Sequence, residues 1–283
     1  MGVSARPPHS HTPAPPHLPL PPIDPAHLRA RTDRIVVQFP EPEAAAASVR
    51  RLLDDYADRA HTLSPRMVSS AGGFAYKTAP PVVRAIAVAL RTPALADPLA
   101  ALRLADALWA GGSREERRLA AEVLGTVASY AVTDALEVVE RWALSLESGE
   151  TADALADLGL GPLFRTNPTR FLDLARHWVA SPARWVRRLA LASVLPVLKE
   201  RQWDNVPEAL AVVRPAMHDT DAEVRRAAGA VLTALGPRSP REVARFLREH
   251  AARATAGTHW IIRNSLNGLE AEDQAEIIRL LRS

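Results

Sequence analysis

The sequence predicts an all-α fold, a helical repeat solenoid of about six helix pairs around a concave basic groove, and three observations predict it. First, short segments of one type recur: Val83-Arg84-Ala85-Ile86-Ala87, Arg117-Arg118-Leu119-Ala120-Ala121, Arg187-Arg188-Leu189-Ala190-Leu191, Arg225-Arg226-Ala227-Ala228-Gly229 and Ile262-Arg263-Asn264-Ser265-Leu266. Arg84, Arg118, Arg188, Arg226 and Arg263 are separated by 34, 70, 38 and 37 residues, and Ala152-Asp153-Ala154-Leu155-Ala156 divides the long gap into 35 and 35. Such a period leaves room for two helices and a turn, and units of this kind bury their apolar faces by stacking on their neighbours. Second, apolar residues recur at three- and four-residue spacing, the pattern of amphipathic helices. Third, alternation of apolar and polar residues is confined to a short candidate strand at Arg34-Ile35-Val36-Val37-Gln38-Phe39.

Taken in order, residues 1–25 hold nine of the 24 prolines and are expected to form a disordered tail, so the repeat domain is placed at 26–283. Glu41 to about Thr62 reads as a helix with an apolar stripe through Val49, Leu52, Leu53 and Tyr56. Pro80-Pro81 open the next helix. The stretch after Pro98 is a helix hairpin, turning at Gly111-Gly112-Ser113 with Ser113 as N-cap. Further turns are expected at Ser148-Gly149, at Ser181-Pro182 and at Asp219 to Asp221, with Gly257 ending a later helix and EDQAEIIRLLRS closing the array.

Several function classes drop out. No cysteine is present, which removes disulfides, thiolate nucleophiles and cysteine-bound metals. The sequence lacks a secretory signal and a membrane-length apolar run, so a cytoplasmic protein is expected. No phosphate-binding glycine loop, HExxH or GxSxG occurs; neither a metal, a nucleotide nor any other cofactor is expected. The basic residues concentrate late: from Arg165 to Ser283 there are 19 Lys and Arg against 13 Asp and Glu. Of the 35 basic residues all but Lys77 and Lys199 are arginine, whose planar fork suits phosphate.

In a stacked array the five arginines form a cationic stripe, and Asp153, with Glu150 one turn before it, interrupts the stripe with carboxylates. That combination suits cleavage of an N-glycosidic bond. Positive charge builds on the sugar ring, and a fixed carboxylate beside the anomeric carbon stabilises it. Arginines (Arg84, Arg118, Arg187, Arg188, Arg226, Arg263) would hold phosphates, and indoles (Trp142, Trp185, Trp260) would pack on sugars or bases. A structural reading stands beside this one: an Arg opening the second helix of a repeat can instead bond the carbonyls of its own turn.

These residues resemble the HEAT-like-repeat alkylpurine DNA glycosylases of the DNA alkylation repair family. The resemblance covers about Gly73 to Leu235 and rests on Pro81-Val82-Val83-Arg84, Leu108-Trp109 with Glu115-Glu116-Arg117 and Leu119-Ala120, Thr151-Ala152-Asp153-Ala154-Leu155-Ala156, and Trp185-Val186-Arg187-Arg188-Leu189-Ala190-Leu191. It implies excision of cationic alkylated purines, of the 3-methyladenine and 7-methylguanine type, from double-stranded DNA, with the catalytic Asp at Asp153 and a phosphate-binding Arg at Arg188. The chain departs from the family where a Trp usually stands four residues before the Asp, because here that residue is Gly149, and where the family's second groove Trp would fall, near Ala230, which is also not a Trp. The alternatives are a non-catalytic repeat protein binding damaged or bent DNA through the same stripe, and a protein-binding scaffold. A monomer is expected, since repeat arrays cap their own ends.

Overall fold

The computed structural model describes residues 23–57 and 74–282, and every regular element among them is helical. Residues 1–22 of the expected tail lie outside the described residues. The Asp24 side chain accepts from the amides of Ala26 and His27, so the helical body begins with α1 at Pro25–Val37. The candidate strand at Arg34 to Phe39 is therefore the end of that helix and the turn after it. Leu28, Thr32 and Ile35, spaced by four and three residues, form its buried side.

The elements that follow are α2 Pro42–Asp55, α3 Pro80–Ala96, α4 Pro98–Gly111, α5 Arg114–Val127 and α6 Val132–Leu144. Next comes a stretch built of α7 Gly149–Ala154, a π-helical segment Leu155–Leu160 and α8 Gly161–Thr166. The chain continues through α9 Pro168–Trp178, α10 Arg184–Ala192, α11 Leu195–Leu198, α12 Val206–Ala216, α13 Ala222–Leu235, α14 Pro240–Ala251, α15 Ala256–Asn264 and α16 Ala271–Leu280. Proline in the first turn starts α1 to α4, α9, α12 and α14, where its missing N–H costs no hydrogen bond. Ser113 caps α5 in a reciprocal pair with Glu116, as expected, and Ser148, Asp221 and Thr255 cap α7, α13 and α15. Gly257, expected to end a helix, lies instead in the first turn of α15.

These helices alternate between two layers. In one, α1, α3, α5, the α7–π–α8 stretch, α10, α13 and α15 pack in succession; in the other lie α2, α4 and α6, then α9, α12, α14 and α16. The apolar core runs unbroken between the layers from Leu28 to Leu281, as stacking requires. No helix among the described residues is long and apolar enough to cross a membrane.

The π-helical segment has a local cause. Pro162 has no N–H to donate to the carbonyl of Leu158, so the regular four-residue bond cannot form there. That carbonyl instead lies against α5 at Gly125, where any Cβ would collide with the Leu158 oxygen. Gly125→Ala is expected to force the two helices apart at a cost of roughly 1–3 kcal/mol, measurable as a melting temperature several degrees lower.

Candidate functional site

Five of the six ladder positions share one register. Arg84, Arg118, Asp153, Arg188 and Arg226 are each the fifth residue of their helix, and each lies five residues past the N-cap. In α15 that register falls on Trp260, not Arg263, which sits one turn later. The six-fold ladder therefore holds four arginines, one aspartate and, at its last rung, a tryptophan whose ring is 42% exposed.

Along α3, α5 and the α7–π–α8 stretch the ladder layer opens into a cleft of about 1440 Å³. Arg84, Arg118, Glu150 and Asp153 all line it. The basic lining expected from the ladder is not found. Arg84, Arg91, Arg114, Arg118 and Lys199 are matched by Glu115, Glu122, Glu150, Asp153 and Asp157. The pairing differs by wall, for Arg114 and Lys199 neutralise Glu150 and Asp157 at 3.1 and 2.6 Å. Glu150, Asp153 and Asp157 follow one another at helical spacing on the α7–π side, while α3 contributes Arg84 and Arg91.

Asp153 is held from behind. Arg188, whose side chain is only 8% exposed, donates from Nη2 to both carboxylate oxygens of Asp153, at 2.7 and 2.9 Å. The same nitrogen reaches the Gly149 carbonyl at 3.3 Å; Nη1 donates to the Glu223 carbonyl at 2.9 Å and faces the Glu223 carboxylate at 3.4 Å. Glu223 also pairs with Arg226. Arg188 is thus committed to orienting Asp153 rather than left free to grip phosphate. The Asp153 carboxylate keeps 55% of its side-chain surface open to the cleft. Its surroundings nevertheless push its carboxyl above the ordinary aspartate range: desolvation by the surrounding helices is the largest cause, Arg188 pulls the other way, and Glu150 pushes up again. Glu122 is also raised by burial, with Arg118 opposing at 3.1 Å.

The other expected site residues divide clearly. Glu150 lies on the Asp153 side of the cleft and pairs with Arg114 at 3.1 Å. Arg84 and Arg263 are exposed and make no ion pair among the described residues. Arg187 follows the structural reading: Nη1 donates to the Ser181 and Pro182 carbonyls, and Nε and Nη2 grip Asp219. Arg225 repeats the pattern one unit later, on the carbonyls of Asp219 and Thr220. Trp142, expected on a nucleic-acid face, is buried, stacked on Trp109 with ring centroids 4.4 Å apart and its Nε1 donating to Asp106. Trp185 is likewise buried, with the Arg184 guanidinium over its ring. Only Trp260 of the three indoles is exposed.

Glu223, Arg91 and Tyr130 were passed over in the sequence. Glu223 could have been found as the first-turn acid three residues before Arg226. Tyr130 carried no signal, because it lies in a turn outside the repeated segments.

Comparison with protein families matches residues 73–266, just over two thirds of the chain, to the family described as DNA alkylation repair enzyme. No curated protein matches the chain.

Proposed function

The chain belongs to the DNA alkylation repair enzyme family, and from that premise we propose that it is a metal-independent DNA glycosylase releasing cationic N-alkylated purines from duplex DNA. One observation carries the reading: the single carboxylate in a ladder otherwise built of arginines and one tryptophan opens into the cleft while a buried guanidinium fixes its orientation.

The chemistry needs little more. A base carrying a positive charge is already a good leaving group, so the scissile bond breaks without a dedicated acid. As it breaks, the sugar becomes oxocarbenium-like, and Asp153 places negative charge beside it. Arg188 supplies orientation, since its bonds to both carboxylate oxygens and to the Gly149 carbonyl leave Asp153 one favoured direction. Water then attacks the anomeric carbon, with Asp153 placed to orient it and Glu150 one turn away; the base leaves neutral, and the proton lost by the water passes through the Asp153 carboxylate to solvent. Arg84, Arg118 and the exposed arginines of later repeats contact phosphates, and Trp260 closes the far end of the same register.

The test is release of alkylated bases from methylated duplex DNA by the wild-type protein, alongside the salt dependence of DNA binding. Release in step with protein concentration is the expected result. Salt-sensitive binding with no release would leave a non-catalytic DNA-binding repeat protein in its place.

A further inference from the structure

The α3 wall of the cleft carries a pattern that the ladder does not explain. Arg84, Val88, Arg91 and Leu95 follow at spacings of four, three and four residues, so they lie on one face of the helix, and all four line the cleft. Val88 is 65% exposed and Leu95 42%. Arg84 and Arg91 make neither ion pair nor side-chain hydrogen bond among the described residues. Beside this face, in the turn after α5, stands Tyr130, 72% exposed and also lining the cleft. Isolated exposed apolar residues are ordinary; three of them in one cleft, interleaved with two unpaired cations, are not.

An alternation of cation and apolar group along about 16 Å of helix, with the two cations about 10 Å apart, complements a deoxyribose–phosphate backbone, in which anionic phosphates alternate with apolar sugar faces. The opposite wall argues for the same placement. There Glu150, Asp153 and Asp157 are paired with Arg114, Arg188 and Lys199 in turn, so the cations of the cleft left unpaired among the described residues stand on α3, and a strand entering the cleft sets its phosphates there with its sugars toward Asp153. Resting on the glycosylase reading above, we infer that α3 and Tyr130 form a backbone track for duplex DNA: Arg84 and Arg91 hold phosphates, and Tyr130, with Val88 and Leu95, packs on deoxyribose. Tyr130 then provides an aromatic contact in a cleft where two of the three expected indoles are buried. The track touches no base edge, so it binds modified and unmodified DNA alike.

The experiment is titration of an unmodified, fluorescently labelled duplex across a range of salt concentrations with wild type, Tyr130→Ala, Tyr130→Phe and Arg91→Gln, and with Arg103→Gln on α4 as a charge-matched control. Tyr130→Ala is expected to weaken binding about ten-fold, as loss of an aromatic–nucleotide contact does, while the slope of log affinity against log salt stays unchanged. Tyr130→Phe keeps the ring and should bind like wild type. Arg91→Gln should reduce the slope by about one, and Arg103→Gln should leave it alone. Because Tyr130 is so exposed, its truncation should leave the melting temperature unchanged, which separates lost contact from lost fold. Wild-type binding by Tyr130→Ala, or an unaltered slope in Arg91→Gln, would overturn the track while leaving the release assay above to judge catalysis. A wild-type protein that binds no duplex at all would overturn both.

Discussion

Replacing Asp153 with Asn is expected to abolish most base release while leaving DNA binding intact or slightly stronger. The substitution removes the negative charge that faces the developing sugar cation, and loss of one such preorganised group costs about 100-fold or more in rate. It keeps an oxygen for the Arg188 guanidinium, which retains the Glu223 carboxylate and the carbonyls of Gly149 and Glu223 as well. The buried cation is therefore not stranded, and the variant should fold. Binding should not suffer, because a carboxylate among phosphate contacts repels DNA. Single-turnover release from methylated duplex, measured beside affinity for the same duplex, checks both halves; release at the wild-type rate would remove Asp153 from the chemistry. Catalysis needs the ionised form, and burial raises the carboxyl of Asp153 above its usual range. Wild-type release should accordingly fall on acidification at a pH above the ordinary aspartate value of about 3.9.

The period of the fold was legible because the ladder is a register. A residue five places past each N-cap holds the same helix position in every unit, so the arginine spacing reported helix positions directly. It misled only in the last unit, where Arg263 drew attention and Trp260 holds the place. Counting from the polar cap Thr255 would have corrected it, since that cap starts the helix at Ala256. The position of Asp153 followed from the same spacing, but its partner did not. That Arg188 turns inward onto Asp153, rather than outward to phosphate, depends on how α7, α10 and α13 meet, and nothing within one repeat encodes it.

The tryptophans show where reading by residue type fails. An indole suits both a core and a sugar-binding face, and only the contact between α4 and α6 decides for Trp142, by laying it on Trp109. Cleft charge was illegible for a similar reason. The excess of arginine in the second half of the chain is real, yet much of it is spent internally: Arg187, Arg225 and Arg238 bind carbonyls of turns and helix ends, and Arg188 and Arg248 bind carboxylates. Net charge counts these with the exposed ones.

Placing at Gly149 the tryptophan that the glycosylases this chain resembles usually carry four residues before their aspartate should impair this protein, not improve it. A side chain at Gly149 must displace its neighbours. A Cβ there would stand 2.8 Å from Nη2 of Arg188, 3.0 Å from its Cζ and 2.9 Å from a carboxylate oxygen of Glu223. Glu223 is partly exposed and can swing away, but Arg188 is enclosed and must give up its bond to Asp153 instead. Two effects then compound in Gly149→Trp. The carboxylate loses its orientation, and it loses the cation that restrains its pKa, so the raised carboxyl rises further. A group whose pKa moves up is ionised only at higher pH, and the acid limb of the rate profile should shift upward with it. Base release near neutral pH is expected to drop about ten-fold or more, as misplacement of a catalytic group by about an ångström can do. Gly149→Ala should show the same changes in smaller measure. Truncating Glu223 to Ala in the Gly149→Trp background clears one of the two obstacles and should recover part of the loss. A Gly149→Trp protein faster than wild type would show instead that Arg188 yields without cost, and that its hold on Asp153 contributes nothing to the reaction.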